Sequence, residues 1–163
     1  FIVVVAYLMF NFSLGLFLTG CGKPSTIDVY SGNFTSVLNI KTDDSSYHYK
    51  FSFGGVGTCS FTSMEPQLPV DFIWEDNNCV LKCNNIEYSP EYTLIENSNV
   101  CIIKNIIETN LNKVCAADYN GIYAINGNSD YGDYRLELSD SGLPVKIELK
   151  SSGYEVVFQN TDV

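Results

Sequence analysis

Six cysteines and a single histidine are the residues of this chain best suited to nucleophilic, redox or metal chemistry. Five of the thiols, Cys59, Cys79, Cys83, Cys101 and Cys115, lie well inside the sequence, and their spacing argues against a site. No Cys-x-x-Cys pair occurs and the one imidazole, His48, falls on the polar side of an alternating segment, so zinc has no ligand set. Cys79 and Cys83 on one strand would stand about 13 Å apart, beyond disulfide reach, unless a bend intervenes. Cys59 could pair with one of them across strands, and Cys101 and Cys115 bracket a helical stretch too long to bridge if straight. The expectation is therefore that these thiols serve as small buried hydrophobes. A hydrolytic triad needs a base oriented by a carboxylate beside a nucleophile, and a lone histidine on a solvated face does not supply one. The adjacent acids Asp43-Asp44 and Glu75-Asp76 fall in turn-forming sequence. Asn126 to Asp133, with Glu137 beyond, offers oxygen ligands near calcium-loop spacing. Its glycine comes one residue late and a strand follows where a helix is required, so a solvated hairpin is expected. No catalytic site, metal or cofactor is expected, and the chain is not read as an enzyme.

The sixth thiol is different in kind. Phe1 to Thr19 is apolar apart from Asn11, Ser13 and Gly15, and no charge occurs before Lys23. The run ends at Leu18-Thr19-Gly20-Cys21, and Gly22-Lys23-Pro24-Ser25-Thr26 follows. This stretch resembles the lipobox of bacterial lipoprotein signal peptides, in which small residues before the cysteine fit a peptidase groove. The resemblance implies that residues 1–20 are a signal peptide, that Cys21 is the lipidated residue, and that 21–31 form a tether. The chain starts without the methionine and cationic segment of such leaders, which reads as a truncated start. An uncleaved spanning anchor also accounts for the apolar run, though it has no need of a cysteine at its end. Either version puts the rest of the chain on the outer face of a cell membrane. Two acyl chains, at ~0.8 kcal/mol per buried methylene, suffice for stable anchoring.

All 19 acidic and 9 basic residues follow that leader, for a net charge of −10. Such acidity opposes binding to nucleic acid and to anionic headgroups. Apolar content dominated by aromatic and β-branched residues favours strands. From Ser46 to Phe53, Tyr47, Tyr49, Phe51 and Phe53 alternate with polar residues, the signature of a half-buried strand. Gly54-Gly55-Val56-Gly57 is a turn, with no Lys-Ser/Thr or helix following to make it a phosphate cradle. Thr58 to Ser63 returns, and strands are expected near Val70–Trp74 and Cys79–Tyr88. Ser98 to Val114 changes period: Ile102, Ile103, Ile106, Ile107, Leu111 and Val114 recur at helical spacing, with Ser98 or Asn99 as cap. Tyr134, Leu136 and Leu138, then Val145, Ile147 and Leu149, then Tyr154, Val156 and Phe158 form a closing meander with turns at Asp140-Ser141-Gly142 and Ser151-Ser152-Gly153. One apolar face on each strand calls for a single cover, and the helix is the natural one. The expected fold of residues 32–163 is mainly β with one principal helix (α+β), a curved antiparallel sheet or half-barrel with the helix on its concave face.

Gly32-Asn33-Phe34-Thr35 opening the first strand, the run Y-R-L-E-L-S-D-S-G-L-P-V-K-I-E-L from Tyr134, and its continuation from Tyr154 to Asn160 resemble the LolA/LolB/LppX-like lipoprotein-carrier superfamily. Within it, the GerS-type lipoproteins of spore-forming bacteria look most similar. The likeness spans most of Ser31 to Asn160, without room for the carriers' long N-terminal helix. It implies two functions. In one, the concave face, with Tyr47, Tyr49, Phe51, Phe53, Ile103, Ile107, Tyr134 and Leu136, binds a lipid or other apolar ligand. In the other, the domain positions or activates an envelope protein, such as a cell-wall amidase during spore germination. Shuttling of lipoproteins between membranes does not carry over, because an acylated Cys21 would tether the protein to one of them.

Overall fold

The computed structural model describes residues 25–67, 69–150 and 152–163, so the leader and Cys21 lie outside the described residues. In chain order the strands are β1 (Thr26–Asp28), β2 (Phe34–Lys41), β3 (Ser46–Phe53), β4 (Cys59–Ser63), β5 (Val70–Glu75), β6 (Asn78–Cys83) and β7 (Ile86–Tyr88). Helices α1 (Tyr92–Ile95) and α2 (Asn99–Asn110) follow. The chain closes with β8 (Val114–Ala116), β9 (Tyr123–Ser129), β10 (Gly132–Leu138), β11 (Pro144–Leu149) and β12 (Tyr154–Asp162). Ten strands form one open antiparallel sheet in the order β7-β6-β5-β4-β3-β2-β12-β11-β10-β9, and β1 pairs with β8 in a separate ribbon. Two meanders, β2 to β7 and β9 to β12, are thus joined by the pairing of β2 with β12 at the centre, and the helices cross from one edge to the other.

The alternation seen in the sequence sets the register. Phe34 faces Phe53, Ser36 faces Phe51 and Leu38 faces Tyr49 across β2–β3, while Phe51 faces Phe61 and Phe53 faces Cys59 across β3–β4. Ile40 continues the inner face to Val156, Ile147, Leu136 and Ile125. A slip of one residue would turn every one of these side chains outward, so the buried face fixes the pairing. Opposite-sign pairs occupy the outer face, where Lys146 reaches Glu148 at 2.5 Å and Glu155 at 2.7 Å. The curved sheet with α2 on its inner side is the architecture expected from the sequence.

Three local expectations need correction. The segment expected as one strand over Cys79–Tyr88 is a hairpin, β6 and β7, because Asn84 adopts a left-handed φ of 55° and reverses the chain. Asparagine tolerates that conformation better than most residues. The helix expected over Ser98–Val114 ends at Asn110: Asn112 is left-handed (φ 61°), and the apolar residues beyond it enter β8. Of the two possible caps it is Ser98 that acts, its hydroxyl accepting from the Cys101 N–H at 3.3 Å. The tether expected over residues 21–31 contains a strand, since Thr26, Ile27 and Asp28 pair with Ala116, Cys115 and Val114. Strand β9 and helix α1 add two elements to those expected from periodicity.

Candidate functional site

The concave face is the surface on which the candidate binding residues of the sequence fall, and α2 occupies most of it. The helix is held from both halves of the sheet. The Tyr154 hydroxyl donates to the Asn99 carbonyl at 3.0 Å, and the Asn110 side chain donates to the Tyr134 hydroxyl at 2.8 Å and to the Ile106 carbonyl at 2.7 Å. From the other half, the Gly57 N–H donates to Glu108 Oε1 at 2.8 Å. Lys104 Nζ lies 2.6 Å from Glu108 Oε2, and this ion pair is almost wholly enclosed. Gly127 lies directly beneath the Tyr134 ring, where a Cβ would collide with the phenol. A glycine at that site lets the tyrosine reach Asn110.

Of the eight residues expected to line a ligand site, Phe51, Phe53, Ile103, Ile107, Tyr134 and Leu136 are buried in the core. The structure brings them together, but as mutual packing: Ile103 and Ile107 of α2 fill the space that the sheet residues face. Tyr47 and Tyr49 are only half-buried. They belong to a strip of inner face that the helix leaves partly uncovered. Tyr49 stands edge-on to Phe72 at a centroid separation of 6.5 Å, Phe72 faces Leu81, and Leu81 faces Tyr88. Tyr88 and Ile86, on the same side of edge strand β7, are largely exposed. The sequence could not single out this strip. Phe72, Leu81 and Tyr88 carry the same alternation as the core residues, and only the position of α2 separates covered from uncovered.

The thiols behave as expected of buried groups. All five described cysteines are free, and four of them are buried. The suggested cross-strand pairing of Cys59 with Cys79 or Cys83 is not formed, and Cys59 and Cys79 flank Trp74 on either side. Burial pushes the Cys59 thiol up to about 12 and the Cys79 thiol up to about 11. Burial raises Cys101 and Cys115 as well. A thiol so far above neutral pH is a poor nucleophile. His48 lies on the outer face with its Nδ1 2.8 Å from Glu65, without a nucleophile in that pair. Asn126 to Asp133 forms the β9–β10 hairpin, and oxygen atoms within it are engaged locally, the Asn128 amide donating to Asp133 at 2.7 Å. Among the described residues no group of three or more His, Cys, Asp or Glu side chains is arranged to hold a metal ion. Five surface clefts among the described residues have volumes of about 240–400 Å³, and none of these five is lined mainly by the expected apolar residues. Among the described residues no helix is long and apolar enough to cross a membrane.

No protein-family model matches the chain, and no curated protein matches it.

Proposed function

We propose that this chain is a lipid-anchored protein of the bacterial envelope whose exported domain works by binding a protein partner. The anchor reading rests on Leu18-Thr19-Gly20-Cys21 at the end of an uncharged apolar run. The observation that favours a partner over a carried lipid is the filling of the concave face by α2, with Ile103 and Ile107 buried against the sheet. A carrier needs an enclosed apolar volume for its cargo, and here that volume is protein core. The resemblance to GerS-type lipoproteins points to an envelope enzyme, such as a cell-wall amidase in germination, as the class of partner. The buried, protonated thiols and the lone outer-face histidine favour a non-enzymatic role.

Two measurements test this reading. Mass spectrometry of the membrane-bound protein should find an N-terminal peptide that begins at an acylated Cys21, and an intact leader ahead of an unmodified Cys21 would remove the lipoprotein assignment. A photo-crosslinking residue at Tyr88 should capture one defined envelope protein in living cells, and Leu81→Asp should abolish that adduct. A second reading is favoured by the half-covered aromatic strip of Tyr47, Tyr49, Phe72 and Leu81, which could hold a single acyl chain. Native mass spectrometry of the domain purified without Cys21 separates the two. A stoichiometric lipid that is lost on Leu81→Asp would establish the second reading in place of the first.

A further inference from the structure

We infer that the Asp118–Ile122 turn forms the membrane-contacting tip of the domain, with Tyr119 seated at the lipid–water interface. The inference rests on the lipid-anchor reading of Cys21 and assigns the side of the domain that the anchor draws down. Ser25, where the described chain begins, is fixed beside this turn: its carbonyl accepts from the Ala117 N–H at 3.0 Å, and the next residues pair with β8. Only a short link separates Cys21 from Ser25, and even fully extended it spans no more than about 14 Å. A lipid on Cys21 therefore holds Ala117 and its neighbours close to the headgroups.

The surface so placed suits that position. Tyr119 is 95% exposed, Val114 66% and Ile122 39%, all within one short stretch at the exit point of the tether. No packing within the described domain accounts for an almost bare tyrosine. Tyrosine favours the headgroup level of a bilayer, where its ring meets apolar surface and its hydroxyl stays wet. Charge is also cleared from the tip. In a domain with a large acidic excess, no formally charged residue occurs from Tyr119 to Ser129. The nearest acid, Asp118, is bonded within the turn and to a cation: Oδ1 accepts from the N–H groups of Asn120 (2.8 Å) and Ile122 (3.0 Å), and Oδ2 faces Arg135 at 3.4 Å. These bonds, with Gly121 at φ 79°, define the turn that presents Tyr119.

The test uses the full chain with a methionine and a short cationic segment placed ahead of its leader, produced in a bacterial host that processes lipoproteins and reconstituted into phosphatidylcholine–phosphatidylglycerol vesicles. Two variants carry an added indole, Tyr119→Trp at the turn and Ile86→Trp on the distant edge strand β7; the signal of the native, buried Trp74 is subtracted. Tyr119→Trp should show blue-shifted emission, lose most of its added fluorescence to lipids brominated near the glycerol, and resist aqueous iodide. Ile86→Trp should be quenched by iodide and untouched by the lipids. Mass measurement of the Cys21 peptide is made on the same sample. If Cys21 carries its lipid but the added indole of Tyr119→Trp remains open to iodide, or both variants are quenched alike, the docking surface is wrong and the lipoprotein reading stands. A blue shift that grows with protein concentration without lipid quenching would assign the surface to a second copy of the chain and overturn the inference. An unmodified Cys21 would remove the lipoprotein reading and the inference with it.

Discussion

Ile103→Ala asks whether α2 is part of the core or a removable lid, and its effect can be worked from the structure. Ile103 is completely buried on the sheet-facing side of α2. Truncation removes three carbons, a transfer loss of about 2.4 kcal/mol at ~0.8 kcal/mol each. The inner face is drawn up to the helix by polar contacts at Asn99, Glu108 and Asn110, so it cannot collapse fully and a cavity contribution adds to the loss. The expected total is about 3 kcal/mol, inside the roughly 2–5 kcal/mol span of buried Ile→Ala changes. With a urea m-value of about 1.5 kcal/mol/M, the unfolding midpoint should fall by about 2 M with m unchanged. The assay is equilibrium urea unfolding followed by far-ultraviolet circular dichroism and by fluorescence of Trp74, which is buried in β5 and stacked on Phe72. Both probes should shift together. If Trp74 reports an unchanged midpoint while hydrogen exchange in α2 becomes fast, the helix opens independently of the sheet. The concave face would then be an accessible site, and the preference for a protein partner over an apolar ligand would lose its basis.

Other perturbations follow from the same packing. Lys104→Met should destabilise the domain by about 3 kcal/mol, because it leaves the Glu108 carboxylate enclosed and unpaired; adding Glu108→Leu should restore part of that loss in a urea titration, and a purely additive double variant would contradict the buried pair. Gly127→Ala should cost about 1–3 kcal/mol by pushing the Tyr134 ring off Asn110, read as a lowered thermal midpoint, while Gly55→Ala, where no atom crowds the site, bears only the strain of its positive φ. Alkaline pH should also weaken the fold. Cys59 and Cys79 titrate near 9 when unfolded but are pushed up to about 12 and 11 when folded, so above pH 9 the unfolded chain releases protons that the native state keeps. Stability is then full below pH 9 and declines as pH rises through about 9–12, and Cys59→Ala should flatten that decline; a profile identical to wild type would refute the thiol assignment.

Much of the architecture was legible because period two survives in the sequence wherever a strand buries one face. Ser46–Phe53 and the run from Tyr134 to Phe158 declare their inner residues directly, and the isoleucines of 102–107 declare a helix by the same logic at period 3.6. The character of the thiols was readable too. Scattered among apolar residues and without metal-ligand spacing, they read as small hydrophobes, and Cys59, Cys79, Cys101 and Cys115 are buried as such.

Tertiary structure decided everything that depends on which surfaces meet. Tyr49, Phe51, Phe72 and Leu81 share one alternation, yet α2 encloses Phe51 and leaves the others partly open. Thr26–Asp28 and Val114–Ala116 are too short to signal strands alone, and each becomes one only because the other lies alongside, far away in sequence. Hydrophobic periodicity reports that a side chain must leave water; the partner that covers it is chosen by long-range pairing and by where the principal helix comes to rest.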